Sequence, residues 1–152
     1  MKGVYTLIID LDEDLSFRLR SLGNLTFEKG TWLYVGSAMG KGSTSLENRI
    51  RRHFRSEKTT HWHIDHLLKT GLKIRAAIWS ESSVHIECDI AKSIGQINGN
   101  EPGPKGFGAS DCKQKCWTHL FRSNVENGLE RKIKTVFTEL NLEPRISRDG
   151  KI

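Results

Sequence analysis

Apolar residues change rhythm along the chain, and each rhythm predicts an element. Val4, Leu7, Ile8 and Ile9 make a β-branched run from Gly3 to Asp10 that predicts a strand. Asp12-Glu13-Asp14 then makes a turn. Leu15, Phe17 and Leu19 alternate with Ser16, Arg18 and Arg20, the period of a half-buried strand. Gly23-Asn24 predicts a second turn, Thr31 to Val35 a third strand ending at Gly36, and Lys73 to Trp79 a fourth. The rhythm elsewhere is helical. Leu46, Ile50 and Phe54 recur every four residues behind a capping-box pattern, with Thr44 as the cap and Glu47 three residues on. Ser82 or Ser83 caps a second predicted helix carrying Ile86, Ile90, Ala91 and Ile94. A third, over about 125–141, carries Leu129, Ile133, Val136, Phe137 and Leu140. His61 to Leu67 reads as a loop or helix start packed by Trp62, Ile64 and Leu67. The glycines and prolines of Asn98 to Gly108 predict a loop, and Pro144 to Ile152 a polar tail.

Strands first, then helices mixed with one strand, predict an α+β fold: a small antiparallel sheet of three or more strands flanked by helices. At 152 residues the chain suits one domain, 1–152. No apolar run approaches the roughly 18 residues needed to cross a membrane, so no membrane partner is expected. No secretory pattern precedes the first strand. With an odd count of three cysteines, this predicts a reduced, cytoplasmic setting rather than a secreted disulfide scaffold. The net charge of +6 points to a polyanionic partner. Arg49, Arg51, Arg52, Arg55 and Lys58, facing only Glu47 and Glu57, are the densest positive stretch. Arg51, Arg52, Arg55 and Lys58 are the expected nucleic-acid backbone contacts, with DNA the expected ligand and RNA the alternative.

Three motifs offer other chemistry. Gly36-Ser37-Ala38-Met39-Gly40-Lys41 lies between strand and helix as a P-loop would. It has three residues between its glycines, not four, and Gly42 where Ser or Thr is needed. His61-x-His63-x-Asp65-His66 resembles the ligand run of the metallo-β-lactamase superfamily and implies a metal hydrolase. Only His85 and His119 remain as downstream histidine ligands. Cys112, Cys116 and His119 are three zinc-capable side chains. A closed structural Zn²⁺ site needs a fourth, from Cys88, Asp111 or a histidine of the 61–66 run.

Gly3-Val4-Tyr5 on the first predicted strand and Tyr34-Val35-Gly36 on the third resemble the two signature tripeptides of the GIY-YIG nuclease superfamily. The continuation Tyr34-Val35-Gly36-Ser37-Ala38, then Arg49-x-x-x-His53, is similar to its homing and repair members. Glu87 matches the position of that family's single metal-binding glutamate. The segments around His61 to Asp65, Glu87-Cys88 and Gly106 to Phe121 are similar to a poorly characterised branch, some members of which are attached to an endonuclease III glycosylase. The resemblance covers about residues 3–122. It departs from the pattern in placing 28 residues between Tyr5 and Tyr34, where most members have about ten, and in offering no clear match for an asparagine after the glutamate.

The resemblance implies a Mg²⁺- or Mn²⁺-dependent DNA endonuclease, with repair and a repair glycosylase as the implied context. Glu87 would hold the metal, Arg49 would fork onto phosphate oxygens, and Tyr5, Tyr34 and His53 would complete the catalytic set. A non-cleaving nucleic-acid-binding module of the same fold is the rival.

Overall fold

The computed structural model describes residues 1–55, 60, 62–69, 72–109, 112 and 114–152. The fold is α+β, as expected. Six antiparallel strands form one sheet in the order β6-β7-β4-β1-β5-β8, made of β1 (Gly3–Leu11), β4 (Gly30–Ala38), β5 (Lys73–Glu81), β6 (Asn100–Pro102), β7 (Leu120–Ser123) and β8 (Arg145–Ser147). A separate hairpin pairs β2 (Leu15–Leu19) with β3 (Gly23–Phe27). The helices are α1 (Leu46–Phe54), α2 (His63–Leu68), α3 (Glu87–Gly95) and α4 (Leu129–Glu139).

β1 is central, between β4 and β5, and is buried on both sides. Its alternation therefore serves two cores. Tyr5, Leu7 and Ile9 face a cluster with α1, α2 and the β2–β3 hairpin, while Val4 and Ile8 face one with α3 and α4. Tyr5 and Tyr34 belong to the first cluster, so the side of the sheet beneath α1 carries both phenols. The β2–β3 hairpin lies between Tyr5 and Tyr34 in the chain and covers that face: Phe27 packs edge-on against Trp32 and Phe107 at 5.3 and 5.8 Å between ring centroids.

Several local expectations are corrected. Gly23 and Asn24 open β3; the turn lies at residues 20–22, where Leu22 N–H bonds the Leu19 carbonyl. Ser45, not Thr44, caps α1, accepting from the Asn48 N–H, and Glu47 pairs with the Met1 amino group at 2.5 Å. Neither Ser82 nor Ser83 caps α3: the Ser82 hydroxyl bonds Val84, and the helix starts at Glu87 behind Ile86, with no side-chain cap. The Asn98–Gly108 segment contains β6, and the tail contains β8, an edge strand on β5. Among the described residues, no helix is long and apolar enough to cross a membrane.

Candidate functional site

Two glycines let the first tyrosine lie flat inside the fold. Tyr5 pairs across the ladder with Gly36, and a Cβ on Gly36 would stand 2.5 Å from the Tyr5 hydroxyl oxygen. A Cβ on Gly3 would collide with the Ser80 carbonyl and the Leu46 side chain, so Gly3 brings α1 close to the start of β1. The Tyr5 hydroxyl then sits 2.7 Å from His53 Nε2 in a buried hydrogen bond. Tyr34, two residue pairs along the same ladder on β4, has its ring 6.4 Å from Tyr5 and 6.2 Å from His53.

Burial raises the Tyr5 hydroxyl well above the usual tyrosine value. The charge of a neighbouring ionised Tyr34 and of Glu87 pushes the same way, while Arg49 opposes. Tyr34 is raised for the same first reason, burial, with Glu87 adding and Arg49 opposing. Both phenols are therefore neutral at ordinary pH, able to donate or accept hydrogen bonds but not to act as ready bases.

Arg49 lies one turn before His53. Its guanidinium donates to the Ser37 carbonyl and rests over Trp62 at 4.4 Å, while its buried Nε has no partner. Glu87 begins α3 on the opposite side of the sheet. All five predicted catalytic residues, Tyr5, Tyr34, Arg49, His53 and Glu87, line one cavity of about 380 Å³. Trp62, His63, Gly108, Cys112 and His119 share its wall.

The basic residues of α1 divide. Arg51 is exposed and bonds Asn48, and Arg55 is exposed. Arg52 is committed elsewhere: it forks onto fully buried Asp65 with two bonds of 2.9 Å, and its guanidinium covers the Trp62 ring at 4.6 Å. Lys58 and His61 lie outside the described residues.

The rest of the His-rich run has structural tasks. Asp65 also accepts the Trp62 N–H. His63 accepts the Gly108 N–H at 3.0 Å and meets Ser21 Oγ, and His66 stacks on Phe17. Both Asp65 oxygens accept from Arg52, and one of them also from the Trp62 N–H.

The metal-capable group of the described residues is elsewhere. Cys88, Cys112, Cys116 and His119 bring their ligand atoms within 4.8 Å of one another, with Cys88 Sγ 3.1 Å from Cys112 Sγ and 3.7 Å from His119 Nε2. Cys88 thus supplies the fourth ligand, and the cluster could hold a metal ion. His119 is placed by its backbone, which bonds Phe107 and Val35. Burial lowers its imidazole below the ordinary histidine value despite Glu87 nearby, so the ring is neutral.

A family model described as domain of unknown function DUF123 matches residues 4–142. The chain belongs to this family. The DUF123 match spans Val4, Tyr5, Tyr34-Val35-Gly36, the residues that line the cavity and all four residues of the Cys/His cluster. No curated protein and no solved structure matches the chain.

Proposed function

We propose that the chain is a Mg²⁺- or Mn²⁺-dependent endonuclease of GIY-YIG type that hydrolyses phosphodiester bonds, with DNA as its substrate. The observation that supports this is the meeting of Tyr5, Tyr34, Arg49, His53 and Glu87, residues of β1, β4, α1 and α3, around one cavity.

A single carboxylate at the rim suits Mg²⁺, which keeps most of its waters and takes further oxygens from substrate phosphate. Bound at Glu87, the ion would supply charge neutralisation and a water of lowered pKa. The protein's own groups would do the rest. Arg49, already braced by Ser37 and Trp62, has an unpartnered buried Nε to offer a phosphate oxygen. The neutral Tyr5 hydroxyl and His53 form a hydrogen-bonded pair able to orient a water and pass its proton. Tyr34 adds a second neutral hydroxyl for the charge that develops at phosphorus. Exposed Arg51 and Arg55 on the same helix would hold flanking phosphates. The same reading takes Zn²⁺ as the ion of the Cys88/Cys112/Cys116/His119 cluster, in a structural role.

The test is nicking of supercoiled plasmid with Mg²⁺ or Mn²⁺. Glu87→Gln should lower nicking by at least about 10²-fold while DNA binding holds, because a negative charge beside phosphates is lost. Arg49→Ala should lower it similarly, and added metal should not restore it. Equal nicking by wild type and Glu87→Gln would overturn the assignment of Glu87. Binding without nicking in either would leave a non-cleaving nucleic-acid module.

A further inference from the structure

The cavity and the Cys/His cluster touch at one point. Cys112 and His119 of the cluster line the cavity, and Cys88 follows Glu87 directly on the first turn of α3. We propose that a zinc ion held by Cys88, Cys112, Cys116 and His119 Nε2 positions Glu87, through a hydrogen bond that His119 donates from Nδ1 to the carboxylate.

Tetrahedral zinc with bonds of about 2.3 Å to sulfur and about 2.0 Å to nitrogen sets its ligand atoms somewhat under 4 Å apart. The cluster's spacings of 3.1 and 3.7 Å around Cys88 Sγ, with every ligand atom within 4.8 Å of the others, are close to this without a backbone change. Three thiolates and an imidazole are a zinc donor set, and four protein ligands close the coordination sphere. The ion is therefore a fixture of the wall and not the place where phosphate binds.

The nitrogen facing Cys88 is Nε2. A ligating imidazole is neutral, so occupancy of Nε2 puts the remaining proton on Nδ1. Nδ1 is buried without a well-formed hydrogen bond; Glu87 Oε2 stands 3.8 Å away, and the Gly108 backbone is the other group beside it. A proton fixed on Nδ1 gives Glu87 a donor to turn toward, in the carboxylate–histidine–metal arrangement that commonly surrounds zinc. Glu87 needs such a hold. It opens α3 behind Ile86, which offers no side-chain cap to that first turn. One oxygen tied to His119 leaves the other for the cavity. His119 is on this account a positioning residue, and the cluster braces Glu87 twice, through the α3 backbone at Cys88 and through this bond. The inference rests on the endonuclease reading only for what Glu87 then does.

Coupling between carboxylate and ion is reciprocal, so it can be read at the ion, without DNA or Mg²⁺. Metal-stripped protein titrated with Co²⁺ should bind about one ion per chain with the absorption of a tetrahedral thiolate site. Cys116→Ser should lose part of the sulfur charge-transfer intensity. Glu87→Gln keeps all four ligands and should give up Co²⁺ or Zn²⁺ to a competing chelator about 10–100-fold more readily than wild type. No tetrahedral thiolate spectrum in wild type would overturn the site. Equal metal retention by wild type and Glu87→Gln would overturn the link, leaving the Nδ1 proton to the Gly108 carbonyl. Failure of wild type to nick plasmid would sink the nuclease reading and leave these metal measurements standing.

Discussion

Tyr5 and Tyr34 are the only tyrosines in the chain, and both are buried with their ionisation pushed up. Their titration is thus a clean report on the site. In the unfolded chain a phenol ionises near pH 10, whereas in the fold it resists. The folded-state value lies above the unfolded one, so the stability associated with these groups is fully present below about pH 10 and declines as pH rises past it. Spectrophotometric titration should therefore show no phenolate absorbance until the protein unfolds, after which two tyrosines should appear together. A separate phenolate step in folded protein would contradict the burial. Gly36→Ala probes the same spot from the backbone. The added methyl must displace the Tyr5 hydroxyl from its place against His53, at a cost of about 1–3 kcal/mol for an overpacked core. Thermal unfolding should register that loss, and nicking should fall further than stability does because the phenol has moved.

At the level of elements, α1 shows what spacing alone leaves out. Arg51, Arg52 and Arg55 are equivalent in sequence, yet only the fold reveals that Asp65 is buried beneath Arg52 and needs it. Replacing Arg52 by Ala removes the guanidinium that forks onto the buried Asp65 carboxylate and should cost about 3–5 kcal/mol in urea unfolding. Arg51→Ala and Arg55→Ala should leave stability nearly unchanged. If α1 faces DNA, each should reduce the salt slope of log affinity by roughly 0.9; unchanged slopes would place the nucleic-acid surface elsewhere. The long strands and the three longest helices were legible because their apolar periods are strong. β3, β6 and β8 were not, because Gly23, Asn24, Pro102 and Arg145 argue locally for turn or coil and become strand only through partners distant in sequence. The site was legible in the same measure. Residues joined by a motif, such as Arg49 and His53, could be read together. That Cys88 joins Cys112, Cys116 and His119 depended on how α3 docks beside them, while Asp111 lies outside the described residues. The tie between His63 and Gly108 had no signal in the chain at all.

On the scale of the whole molecule, the C-terminal segment closes the sheet and supports the site from outside it. β8 covers the edge of β5, and the Arg148 guanidinium forks onto Glu130 of α4. Beyond it the chain folds back so that Gly150 lies against Phe54, where a Cβ would approach the ring to 2.8 Å, and Ile152 packs on the core beneath α1. Phe54 is the last residue of α1 and follows His53, so this contact holds the helix end that carries the Tyr5 partner. A chain ending at residue 144 loses a three-residue ladder and the partial burial of Ile146 and Ile152. At the low end of 1.5–3 kcal/mol per apolar side chain, the two together amount to about 3 kcal/mol. For a protein of this size that is a fall in Tm of roughly 6–12 °C. The truncated chain also exposes β5 as a long free edge, with Ala77, Ile78 and Trp79 no longer paired, and should self-associate more readily in light scattering. A merely polar tail would leave both measurements unchanged. Arg148→Ala separates the parts: it removes only an exposed ion pair, should move stability by less than about 1 kcal/mol, and should leave the edge covered.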